Sequence, residues 1–448
     1  MDNYYDFSRE ITQLKKSNNF SAVLDLFVKN KDKFSKQQIA NDNYTINNII
    51  TSLRKINKAI YVNNFLNEFN IIINEETNEM VLNAYGWSLY DICKIEVSNV
   101  NYNQEKLLNL IQYPIYLLSL KKSDFSYSVI SNIFRLILKA EKSKLNKNWN
   151  FINNFCNLFN PDILTLECGT MEIKGKVTEF ASDKENWYAT KSKALFELNI
   201  FQECYEVSKF AISHINNFHY NNDLWFSRRI ALSKKELGNI NEAIDELEKI
   251  YKKRREWFIK KELAELYFEI NNIEKSFDYA IDAICKNGFY KLEFKIGLIL
   301  LLGNILKSKN KIDFSNKHFL LLKIIREENG WKLPQELQNE LNQIDIENID
   351  LSSIKNDLIK YWKLFQSKIN NSQKTKKLLE GYIKKILNDN EKGKNGFLTS
   401  KEKDYYFLLP KHIKFIDNIE LNTKVKFEVL KLNDGKERAK ILKIVEIK

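Results

Sequence analysis

Glycine and proline are scarce, 12 and 4 in 448 residues. That excludes collagen-like, proline-rich and glycine-rich linker chains, and it favours long helices joined by short connections. Cysteine is sparse as well: the five thiols, at 93, 156, 168, 204 and 285, are odd in number and contain no Cys-x-x-Cys spacing. Reduced thiols are expected, without a disulfide framework or a cysteine-built metal site. Long apolar runs are missing, since the longest, Ile296–Leu302, falls far short of the ~20 residues that cross a bilayer. The opening MDNYYDFSRE carries no basic-then-apolar leader pattern. Together these absences predict a soluble, cytoplasmic chain with no membrane partner.

Catalytic motifs are lacking too. There is no Gly-x-x-x-x-Gly-Lys-Ser/Thr loop, no His-Glu-x-x-His and no Gly-x-Ser-x-Gly. The four histidines, at 214, 219, 318 and 412, include one close pair, His214 and His219. Five residues apart with Asn216 and Asn217 between, that pair straddles a helix end rather than sharing a face, so no metal site is expected. Cys168, before Gly169 in a predicted loop, has no identifiable base and reads as a free thiol. The chain is expected to be no enzyme and to need no cofactor.

What is present is an apolar share of 44% with 13% aromatic residues, ample for buried cores in two or three domains. Four phrases repeat between Glu185 and about Asn329: ELNIFQECYEV, ELGNINEAIDEL, EINNIEKSFDYA and KSKNKIDFSNKHF. In each, a turn residue (Asn199, Gly238, Asn271, Asn310) stands five positions before a small one (Cys204, Ala243, Ser276, Ser315). A second small residue (Ser192, Ala231, Ala264, Gly303) lies twelve positions before the first. Ala211, Ile250, Ala283 and Leu322 follow seven positions after it. This array resembles tetratricopeptide repeats, helix–turn–helix units that need small residues where the paired helices cross closely.

Upstream, the stretch from Asn83 through Gly86, Trp87, Leu89 and Tyr90 resembles the first helix of such a repeat, with Gly86 at the crossing. KLLNLIQYPIYLLSL and SVISNIFRLILKAEKS add amphipathic helices. Downstream, Pro334–Ile344 and Leu351–Ile369 read as two more helices, the first opened by a proline. In this repeat family the first helix of each pair lines a concave groove. The resemblance places Lys193, Trp225, Arg228, Lys235, Phe258 and Lys261 there, where a protein partner or a nucleic acid could bind. Lys252–Arg255 reads as a solvated helix end whose cations meet the macrodipole.

The C-terminal segment changes period. Alternation marks Ile383/Ile386, Phe397/Thr399, Tyr405/Phe407, Val425/Phe427/Val429 and Ala439/Ile441 as half-buried strands, with Gly396 and Asp434-Gly435 as turn residues. Gly381-x-Ile383-Lys384, Gly396-Phe397-Leu398, Asp404 through Leu408, Val425-x-Phe427-Glu428 and Gly435-x-x-x-Ala439 resemble the five strands of a cold-shock domain. The resemblance implies an OB-fold barrel with base-stacking aromatics on its second and third strands. Leu398, Tyr405 and Phe407 should face inward, leaving Phe397, Tyr406 and Leu408 outside. The segment departs from the family at Lys385, where a tryptophan is usual, at Asn395 for a phenylalanine and at Leu408 for a histidine. One extra residue also lies between Gly393 and Gly396. Its sixteen Lys/Arg against ten Asp/Glu hold about half of the chain's +12 excess, the expected footprint of phosphate contacts.

The fold class expected is mostly α: a tetratricopeptide-like α-solenoid with a small C-terminal all-β OB-fold barrel. The divisions are 1–165 (divergent helical repeats), 166–184 (connecting loop), 185–345 (tetratricopeptide-like repeats), 346–380 (capping and linking helix) and 381–448 (barrel). The expected function is a non-enzymatic adaptor. RNA or single-stranded DNA would stack on Phe397 and Tyr406 and meet Lys384, Lys385, Lys394 and Arg438 through its phosphates, while a protein partner occupies the groove. A purely protein-binding scaffold, possible in a bacterial defence or stress system by analogy alone, is the alternative.

Overall fold

The computed structural model describes residues 3–173, 175–345, 350–376, 378–401, 403–413, 415–431 and 437–446. The chain is a mostly α-helical solenoid ending in a closed five-stranded barrel. It divides into two compact units, Met1–Arg254 and Arg255–Lys448.

The first unit opens with α1 (Tyr4–Lys16), α2 (Phe20–Asn30), α3 (Lys36–Ala40), α4 (Asn43–Lys55) and α5 (Val62–Glu68). It continues with α6 (Glu79–Ser98), α7 (Gln104–Lys121), α8 (Asp124–Ser143) and α9 (Trp149–Asn157). The stretch expected to be a connecting loop, 166–184, instead carries a hairpin of β1 (Thr170–Ile173) and β2 (Lys176–Glu179). Then come α10 (Asp183–Glu197), α11 (Phe201–His214), α12 (Asn222–Glu236) and α13 (Ile240–Lys253). The second unit holds α14 (Trp257–Glu269), α15 (Ile273–Cys285), α16 (Ile296–Ser308), α17 (Ile312–Glu328), α18 (Gln335–Leu341) and α19 (Ile354–Lys376).

The four sequence phrases coincide with the pairs α10/α11, α12/α13, α14/α15 and α16/α17. Their turn residues Asn199, Gly238, Asn271 and Asn310 all sit at positive φ, between 58° and 89°. Each ends its helix with a wrapped-back bond, such as Ile200 N–H to the Leu195 carbonyl at 2.9 Å and Asn272 N–H to the Tyr267 carbonyl at 2.8 Å. A left-handed residue at this position satisfies carbonyls that the helix leaves unpaired, and a glycine-poor chain uses asparagine for it.

The small residues make the crossings. Cys204 Sγ donates to the Ser192 carbonyl at 3.2 Å, Ser276 Oγ to that of Ala264 at 2.7 Å, and Ser315 Oγ to that of Gly303 at 2.8 Å. A bulkier residue would hold the paired helices too far apart for those bonds. A Cβ on Gly303 would lie 2.5 Å from the Phe319 ring, and one on Gly86 would lie 2.8 Å from Val129, where α6 crosses α8.

Beneath α19 of the second unit, His318 is fully buried. Its Nδ1 donates to the Phe314 carbonyl at 2.6 Å, and its Nε2 accepts from Trp362 Nε1 at 3.0 Å. Burial lowers its pKa from 6.5 to about 4, so the folded ring stays neutral. The unfolded chain takes up this proton as pH falls through its ordinary value while the fold refuses it. Stability is therefore lost between about pH 6.5 and pH 4, by about 3 kcal/mol in full. Urea midpoints at pH 7 and pH 4.5, read by tryptophan fluorescence, should diverge more in the unaltered chain than in His318→Gln. Equal divergence would place the pH sensitivity elsewhere.

The barrel strands are β3 (Leu378–Asn390), β4 (Gly393–Ser400), β5 (Lys403–Pro410), β6 (Lys424–Lys431) and β7 (Glu437–Glu446), in the closed order β3-β4-β5-β7-β6. All neighbours are antiparallel except β5 and β7. Ile383, Leu398, Phe407, Val425, Phe427, Ala439 and Ile441 fill the interior. Glycines stand where strands press together: a Cβ on Gly396 would meet the Lys385 carbonyl at 2.0 Å, and one on Gly381 the Thr399 carbonyl at 2.6 Å. The Asp434-Gly435 turn lies outside the described residues.

Candidate functional site

Strand pairing decides which barrel side chains share a surface. Phe397 on β4 pairs with Lys385 on β3 and with Tyr406 on β5, and Tyr406 pairs with Arg438 on β7. Lys385, Phe397, Tyr406 and Arg438 therefore form one row across four strands, about 14 Å long at the usual strand spacing. Leu398 and Phe407 are buried and Tyr405 packs partly against the core, so Phe397 and Tyr406 are left on the outer face, half-exposed. The two rings meet edge to face, with centroids 5.6 Å apart and planes at 68°.

A local irregularity places the first cation. The β3–β4 register slips between Ile383 and Lys385, and Gly396 lets the two strands close over the slip. Lys385 is exposed, and among the described residues it forms no ion pair. Arg438 donates from Nη2 to the Leu408 carbonyl at 3.2 Å, which holds the guanidinium beside the rings. Lys384 is also exposed but engages Asp404 at 2.6 Å, and its ammonium lowers the Asp404 pKa. Exposed pairs of this kind are weak and exchange readily for a phosphate.

Lys394 corrects the expectation. It is 8% exposed, and its Nζ donates to the Ile419 carbonyl at 3.2 Å and pairs with Asp389 at 3.2 Å. Residues 394, 396 and 398 share the inward face of β4, so this lysine closes the barrel end rather than facing a phosphate.

The six residues expected in one groove fall in both units, four in the first and two in the second. Lys193, Trp225 and Arg228 line a single pocket of about 620 Å³ in the first unit, between α8, α9, α10 and α12. Lys235 lies outside that lining, half-buried with its Nζ 3.0 Å from Glu236. Phe258 and Lys261 belong to the second unit, where Phe258 packs edge-on to Trp257 at 6.3 Å and Lys261 pairs with Glu265 at 2.5 Å.

Sequence reasoning missed Lys142, Lys147, Trp149 and Arg229 in the pocket. Lys142, Lys147 and Trp149 come from α8, the loop after it and α9, and Arg229 stands beside Arg228 on α12. Trp187 Nε1 donates to the Cys156 carbonyl at 2.9 Å, and Lys191 Nζ bonds Asn153 and Asn157 at 2.6 Å each, docking α10 on α9. Lys193 then lies 5.4 Å from the Trp149 ring centroid, and the Arg228 guanidinium 5.7 Å from that of Trp225. Burial pulls the Arg229 pKa down to about 10, so it remains charged near neutrality.

The lining holds five cations against two carboxylates, and one of these, Glu141, is already bonded to Tyr102, Gln104 and Lys144. Thr190, also in the lining, has a buried hydroxyl with no hydrogen-bond partner among the described residues.

Among the described residues, no helix is long and apolar enough to cross a membrane. No family model and no curated protein matches the chain. Solved structures do. BtubC (BKLC) from P. vanneervenii is 11% identical with a TM-score of 0.31, over 58% of this chain and 95% of that one. The human IFIT1 dimer with PPP-AAAA is 12% identical with a TM-score of 0.32, over 80% of each chain. The maize pentatricopeptide repeat protein PPR10 is 12% identical with a TM-score of 0.30, over 80% of this chain and 49% of that one. The present chain is a helical-repeat protein that ends in a small closed barrel.

Proposed function

We propose that the chain is a non-enzymatic adaptor whose barrel grips unpaired RNA or DNA and whose first helical unit holds an acidic segment of a protein partner. The row Lys385–Phe397–Tyr406–Arg438 carries the nucleic-acid reading, since it sets two π-faces between two cations on an open strand surface. Stacking accepts any base and cations accept any phosphate, so binding should be sequence-tolerant and salt-sensitive. The same strands carry the cold-shock resemblance. Where that family places a tryptophan this row has Lys385, so it gains a phosphate contact and loses a stacking ring.

The experiment is a titration of short labelled single strands against the full chain at several salt concentrations, read by anisotropy. Lys385→Ala and Arg438→Ala should each flatten the dependence of log affinity on log salt by about 0.7, one phosphate contact apiece. Lys394→Ala should leave that slope unchanged. A flat salt response in the unaltered chain would remove the phosphate contacts and the reading with them.

The pocket in the first unit favours carboxylates, with five cations, two tryptophan rings and a spare hydroxyl. A polyglutamate peptide is the simplest probe. Trp225→Ala combined with Arg228→Glu should weaken its binding to the full chain at least about tenfold, because a desolvated charge contact is worth about 1.5–3 kcal/mol. Unchanged peptide affinity would leave the pocket a packing feature.

A further inference from the structure

Outside the barrel row and the pocket, three metal-binding side chains from separate elements converge in the first unit. Cys168 precedes β1, Glu179 ends β2, and His219 lies in the loop before α12. Their ligand atoms all lie within 4.8 Å of one another, with His219 Nε2 and Glu179 Oε2 3.9 Å apart.

The histidine is aimed. Glu185 on α10 is almost wholly buried, and its carboxylate receives three bonds: His219 Nδ1 at 2.8 Å, the His219 backbone N–H at 2.8 Å and Asn222 Nδ2 at 2.8 Å. Holding Nδ1–H in this way leaves the Nε2 lone pair facing Cys168 and Glu179. A buried carboxylate behind a ligating imidazole is the usual support of a metal-bound histidine. His214, the sequence neighbour, takes no part; it stacks on Phe210 at 3.7 Å.

We propose that Cys168 Sγ, Glu179 and His219 Nε2 bind one divalent transition metal, with zinc the best match to the donors, and that Glu185 is a positioning residue for the imidazole. One sulfur, one nitrogen and one carboxylate oxygen suit a borderline-soft dication. Zinc–ligand bonds of about 2.0–2.3 Å require the three atoms to draw together by less than about 1.5 Å. Glu179 stands on the exposed hairpin and Cys168 just before it, so that approach falls on solvent-facing chain rather than on packed helices. Solvent completes the fourth position beside the exposed Glu179.

Binding releases the Cys168 thiol proton to solvent as the sulfur–metal bond forms, so affinity falls as pH is lowered. Without a metal, burial and the Glu179 and Glu185 carboxylates raise the Cys168 pKa, and a dication reverses that balance. The metal would pin the β1–β2 hairpin to the loop before α12.

The test uses the full chain after chelator treatment, titrated with cobalt(II) as a spectroscopic stand-in and then with zinc(II). One equivalent of cobalt should produce a near-ultraviolet thiolate-to-metal absorption that zinc abolishes. Cys168→Ser should remove that absorption, and Glu185→Gln should weaken metal binding by about 10–100-fold. Because a buried substitution can disturb α10, alkylation of the unaltered chain supplies an independent readout. Zinc should protect Cys168 from iodoacetamide while leaving labelling of the half-exposed Cys285 unchanged. No thiolate absorption, the same absorption in Cys168→Ser, or equal Cys168 labelling with and without zinc would each overturn the site.

Discussion

Replacing Phe397 and Tyr406 together by alanine should weaken binding of single-stranded RNA or DNA by at least about 30-fold. Each stacked base contributes about 1–3 kcal/mol, so losing both rings removes about 2–6 kcal/mol of a modest total. The barrel should survive the change. Both rings stand outside the core formed by Ile383, Leu398, Phe407, Val425 and Phe427, and they meet each other edge to face on the outer surface. Circular dichroism and the thermal midpoint of the variant check that point. Phe397→Trp should keep or improve the affinity, because the proposed contact requires only a flat π-surface. If the double alanine chain binds as tightly as the unaltered one, with its fold intact, the outer face of β4 and β5 is not the nucleic-acid surface. The pocket in the first unit could then still be tested by itself.

A second large effect concerns two glycines of one helix. Alanine for glycine inside a helix normally stabilises it by about 1 kcal/mol. Gly297 and Gly303 both lie on α16, and the expected signs differ. At Gly297 a Cβ would meet only the far end of the Lys261 side chain, at 3.2 Å, which can move aside. At Gly303 it would lie 2.5 Å from the Phe319 ring, whose position is held by the surrounding core. Gly303→Ala should therefore destabilise the second unit in spite of its helix propensity, and Gly303→Val should cost about 3 kcal/mol or more. Gly297→Ala should be neutral or stabilising. Urea unfolding of the three variants decides it, and a gain in stability from Gly303→Ala would show that α16 and α17 are not closely crossed.

Much of this architecture was legible because its signals are local. An asparagine or glycine followed five residues later by a small side chain identified all four C-terminal helix pairs, since a left-handed turn and a close crossing each restrict which residues fit. The same phrase recurs unrecognised near the N-terminus, where Asn18 and Asn57 sit at φ 56° and 61°. There the fifth position holds Val23 and Val62, both fully buried, rather than a small residue. A search for the turn without the small residue would have found them.

Lys394 was misplaced although the alternation that put Leu398 inside also puts Lys394 inside. It was assigned to a phosphate, and the Ile419 carbonyl that receives its ammonium lies 25 residues away. The convergence of Cys168, Glu179 and His219 left no trace in spacing, because the α10/α11 pair intervenes between the hairpin and the histidine.

By itself, the sequence determined where the helices of the four repeated pairs turn, which residues cross there and which side of each barrel strand faces inward. Those outcomes follow from backbone sterics and from periodicities of 3.6 and 2, which act between residues a few positions apart. Only the tertiary structure decided which cations remain available, that Lys385 and Arg438 flank the two rings, that Trp149 and Trp225 share one pocket, and that Cys168, Glu179 and His219 meet. A charge is available or consumed according to the carbonyl or carboxylate that long-range packing brings to it, and strand register, the β3 slip and helix docking set those partners.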